Sequence, residues 1–153
     1  IISMQRAALL SLTALWVMHL KLYWASVITQ IKLGQCVTNL DGFCLQNMAS
    51  VFNCASVICN RQCPLHRDPS STPKRFGIMA SVSHYCNRIM ILSNLGIQLQ
   101  YNSGTMVSCS GHNVRHGVTY TSDHIVRAWF IHDSLQNFVG TPWSLYATFI
   151  HID

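Results

Sequence analysis

The hydrophobic residues of this chain change their spacing partway along, and that change bounds the architectures open to it. Before residue 61 they recur at steps of three and four. Met48, Val51, Phe52, Ala55, Ile58 and Cys59 fall on one side of a helix, with Ser50, Asn53, Ser56 and Asn60 on the other. Beyond Phe76 they alternate. Ile97, Leu99 and Tyr101 are separated by Gln98 and Gln100, and Val114, His116, Val118 and Tyr120 by Arg115, Gly117 and Thr119, which is the period of a strand with one buried face. The expected fold is α+β: an apolar N-terminal helix and one amphipathic helix over 48–60, then a predominantly antiparallel β C-terminal half built as a meander, sandwich or small barrel. Runs at 125–131 and 145–152 supply further strands, with turn residues at 102–104, 110–113, 121–123 and 140–142 between them.

Prolines at 64, 69 and 73 stand between the two regimes and forbid a continuous helix or a central strand there. Residues 61–75 are therefore expected to be a connection inside a single small domain covering 34–153, a size that suits one core. Residues 1–33 form a separate apolar segment. Arg6 precedes a run from Ala7 to Leu20 broken only by Ser11, Thr13 and His19, and Lys21 follows. A basic start, an apolar stretch and small residues at Ala25 and Ser26 fit a secretory leader, while a buried core helix is the alternative. A full membrane crossing is disfavoured, because Lys21 falls near the middle of any span of about 20 residues. Export or membrane association through this segment is the expected localisation.

Only 10% of residues are charged and glutamate is absent, so Asp41, Asp68, Asp123, Asp133 and Asp153 are the entire acidic set against ten Lys and Arg. Every motif that needs glutamate is excluded. Basic residues at Arg61, Arg67, Lys74 and Arg75 lie among the prolines without interleaved aromatics, so a protein partner is expected ahead of nucleic acid. No nucleophile elbow, phosphate loop, dinucleotide turn or paired-histidine metalloprotease helix occurs, and the reading goes against an enzyme.

Seven cysteines stand at 36, 44, 54, 59, 63, 86 and 109. Disulfides in an exported chain and buried thiols in a reduced one are both open, and the odd count leaves one thiol over. Cys54, Cys59, Cys63 and His66 are the candidate metal ligands, with zinc the one cofactor they suggest, because short spacings bring soft ligands into a tetrahedron. His112 and His116, joined by His124 or His132 from a neighbouring strand, form a second candidate metal face. The leading expectation is a non-enzymatic structural or interaction domain, and a small Cys/His zinc module is the alternative. Missing glutamate, scant lysine and the residues ahead of Met4 also suit a translated frame with no selected biochemical role.

Overall fold

A computed structural model describes residues 5–36, 50–60, 62–82, 87–119 and 125–144. The chain divides into two compact units, one made of Ile1–Asn53 with His132–Asp153 and the other of Cys54–Ile131. Two long helices precede an antiparallel β-rich half, so the fold is α+β.

The first unit contains α1 (Gln5–Met18), α2 (Leu20–Cys36) and the short α3 (Asp133–Phe138). Proline is missing from the first 36 residues, and Ala, Leu and Met are strong helix formers. The apolar N-terminal segment is broken at His19, whose Nδ1 accepts the Leu22 N–H at 3.1 Å while its carbonyl accepts the Tyr23 N–H at 3.0 Å. A side chain at that position takes up one of the unpaired donors that begin every helix. Ala8, Ser11 and Leu15 of α1 and Leu22, Ala25, Ser26, Thr29 and Leu33 of α2 are buried. Their hydroxyls are satisfied locally: Ser11, Ser26 and Thr29 each donate to the carbonyl four residues back at 2.8 Å. Among the described residues no helix is long and apolar enough to cross a membrane.

The second unit holds two four-stranded antiparallel sheets. With β1 (Cys54–Cys59), β2 (Cys63–His66), β3 (Gly77–Ser81), β4 (Ile89–Leu92), β5 (Ile97–Gln100), β6 (Met106–Cys109), β7 (His116–Thr119) and β8 (Ile125–Phe130), the orders are β1-β8-β3-β6 and β2-β7-β4-β5. Val107 and Val126 from the first sheet pack with Met90 and Leu92 from the second, around the fully buried Tyr101. This inter-sheet layer is the core of a sandwich. The turns expected at 102–104 and 110–113 are present, whereas the strand expected at 145–152 lies outside the described residues.

The helix expected over 48–60 is not formed across 54–59, which is strand β1 paired along its whole length with β8, from Cys54 opposite Phe130 to Cys59 opposite Ile125. Its burial alternates, with Cys54, Ser56 and Ile58 half-buried and Ala55, Val57 and Cys59 exposed. Six residues satisfy either period, and a ladder formed with a strand about seventy residues away decides between them.

Residues 62–75 are more ordered than a free connection, and Arg61 lies outside the described residues. Cys63–His66 adds a strand to the edge of the second sheet, where Pro64 removes no ladder bond that a central strand would need, and the register shifts between Cys63 and His66. Ser110 Oγ and Asn113 Nδ2 both donate to the Pro73 carbonyl, at 3.0 and 3.1 Å. Arg75 is buried rather than solvated.

Candidate metal centre

His66 ends strand β2 directly opposite His116, the first residue of β7. The strands come this close because Gly117 carries no side chain: a Cβ there would meet the Cys63 carbonyl at 2.9 Å and the Leu65 backbone at 3.0 to 3.1 Å. The two imidazole centroids lie 4.5 Å apart, tilted by 50°. His116 is buried, and His66 is partly open.

Asp68 is two residues beyond His66, so an extended chain places both on one side. A turn fixes it: Pro69 follows, the Ser71 N–H donates to the Asp68 carbonyl at 3.1 Å, and the Asp68 N–H donates to the Gly111 carbonyl at 2.9 Å. The carboxylate occupies the volume that a side chain at position 111 would need. Asp68 Oδ1 then lies 3.4 Å from His66 Nε2. One ligand atom from each of His66, Asp68 and His116 falls within 4.8 Å of the other two.

Each histidine is oriented by a backbone carbonyl. His66 Nδ1 is 2.9 Å from the Pro64 oxygen, and His116 Nδ1 is 2.9 Å from the Val114 oxygen. An Nδ1–H that donates to a carbonyl leaves the neutral ring's lone pair on Nε2, the arrangement that metal-binding histidines commonly use. Two ligands on a tetrahedral zinc ion, each at about 2.1 Å, stand about 3.4 Å apart, which is the His66 to Asp68 separation. A pair at the 4.8 Å limit must close by about 1.4 Å to share one tetrahedral ion. Two nitrogens and one carboxylate oxygen suit zinc, iron(II) or another first-row divalent ion, and they leave at least one coordination position open.

The ligand set read from the sequence is not assembled as a group. Cys63 and His66 are neighbours, with Cys63 Sγ 3.6 Å from His66 Nδ1. Cys54 and Cys59 stand at the two ends of β1 on opposite faces, separated by about 16 Å of extended chain, so one ion does not reach both. Burial raises the Cys54 thiol above its ordinary pKa, which disfavours the thiolate that a metal requires. Cys36, Cys54, Cys59 and Cys109 are free thiols, while Cys44 and Cys86 lie outside the described residues.

The histidine face expected from 112, 116, 124 and 132 is also not formed as read. His112 sits in the turn before β7, His132 opens α3 in the other unit, and His124 lies outside the described residues. Asp68 was missed because it belongs to a proline-rich stretch. Its signal was the His66-Arg67-Asp68 alternation, which needs an extended chain to count.

No protein-family model and no curated protein matches the chain. Among solved structures, a cupin 2 conserved barrel domain protein from Salinispora arenicola is 11% identical, with the match covering 57% of this chain and 83% of that one at a TM-score of 0.35.

Proposed function

We propose that the β unit is a small divalent-metal-binding module whose ligands are His66, Asp68 and His116. The observation that carries this reading is their convergence within 4.8 Å, with Nδ1 of both rings 2.9 Å from a backbone carbonyl, which leaves the neutral ring's lone pair on Nε2. Three fixed ligands and an open position are the arrangement of a site that also takes a small molecule. The test is cobalt(II) titration of the full chain, followed by visible absorption. The expected result is one equivalent bound with d–d bands, lost in His116→Ala and Asp68→Asn. Bands that persist in both variants, or fewer than about a tenth of an equivalent bound by the folded chain, contradict it.

A second reading concerns the helical unit and retains the membrane association expected from its sequence. Leu10, Trp16, Val17, Trp24 and Ile31 are 54–80% exposed, whereas soluble surfaces rarely collect large apolar side chains so densely. Arg6 and Lys21 are exposed nearby, and no acidic residue precedes Asp41. Exposed tryptophans beside cations suit an anionic lipid surface on which helices lie without crossing.

A further inference from the structure

The proposed ligands stand between two cavities of the β unit. One, of ≈ 290 Å³, includes Asp68, Ser70, Ser71 and Arg75 in its lining, and it also touches His66 and His116. The other, of ≈ 390 Å³, is walled by Ile58, Met79, Met90 and Val126, and the same two histidines form part of its lining. Its walls come from both sheets: Ile58, Met79 and Val126 from one, Met90 and His116 from the other. Ile58, Met79 and the two histidines line both cavities, and Asp68 lines the first alone.

We infer that the second cavity binds a small molecule with an aromatic or branched aliphatic body and a single oxygen-donor head. The body lies among Ile58, Met79, Met90 and Val126, and the head completes the coordination shell of an ion on His66, Asp68 and His116. This rests on the metal reading above. An apolar cavity of about 150 Å³ already takes up benzene, so ≈ 390 Å³ has room for a substituted ring. Apolar walls reward the body for leaving water, while an oxygen-donor head takes the place of water at the ion's open position. A metal site that served only to brace the fold would be closed by four protein ligands.

The test loads the full chain with cobalt(II) and compares benzohydroxamate with acetohydroxamate, which share the donor head and differ in the body. Shifts of the visible bands report binding. Benzohydroxamate is expected to bind at least tenfold more tightly, in line with burial of a ring. Filling the cavity by Val126→Phe or Ile58→Phe is expected to erase that preference without loss of the cobalt spectrum, and the pair guards against one variant failing to fold. Equal affinities, or a preference that survives both fillings, overturn the inference and leave the metal reading intact. A folded chain with no cobalt spectrum removes both.

Discussion

Gly111 has no side chain, and the Asp68 carboxylate uses the vacant volume while the Asp68 N–H holds the Gly111 carbonyl at 2.9 Å. Gly111→Ala should therefore turn the carboxylate away from the histidines. We expect metal affinity to fall about tenfold or more with little change in the urea midpoint, since displacement of about 1 Å is enough to spoil a site. Unchanged affinity would show that Asp68 is not a ligand. Cys109 makes a separate point. Burial, and secondarily the Asp68 charge, pushes its thiol up to about 11 from 9.0, so it stays protonated at neutral pH. Its alkylation at pH 8 should be much slower in the folded chain than in urea. Because the folded pKa is raised, the folded state holds the proton more tightly between about pH 9 and 11. Stability is then unaffected below 9, falls across that window and levels off above it; denaturation series at pH 8 and 10.5 check the sign, and a Cys109→Ser variant should lose the dependence.

At the scale of elements, the close approach of β2 to β7 depends on Gly117, whose neighbours are backbone atoms of Cys63 and Leu65 that cannot rotate aside. Gly117→Ala should destabilise the β unit by about 1–3 kcal/mol and separate His66 from His116, as read by urea denaturation and loss of cobalt bands; a variant with wild-type stability and binding would contradict that packing. Strands β5 and β7 were legible in the alternation at Ile97–Tyr101 and Val114–Tyr120, and β8 in the more fully apolar run at 125–131, although the burial along all three departs from a strict period of two. Strand β1 was not, since Cys-Ala-Ser-Val-Ile-Cys fits a helix equally well and its partner is distant. Strand β2 hid among prolines, and with it went the pairing of His66 with His116, fifty residues apart. Two of the three proposed ligands were thus visible as types, His66 as one candidate ligand and His116 as another, but register alone brings them together.

At the scale of the molecule, the two units place different demands on solvent. The β unit encloses its apolar layer between sheets, and the helical unit leaves Trp16, Val17 and Trp24 largely uncovered. With a net charge of +5, the chain should pellet with vesicles containing phosphatidylglycerol and much less with phosphatidylcholine alone. Trp16→Ser with Trp24→Ser should reduce pelleting severalfold, while equal recovery with neutral vesicles, or a concentration-dependent dimer that buries the tryptophans instead, would refute a lipid partner. The metal centre remains the claim on which the β unit's role depends, and it is open to direct view. Diffraction from zinc-soaked crystals of the full chain, recorded above and below the zinc absorption edge, should show one strong anomalous peak within about 2.2 Å of His66, Asp68 and His116; a peak on the cysteines of β1 and β2, or none at these three residues, would contradict the account.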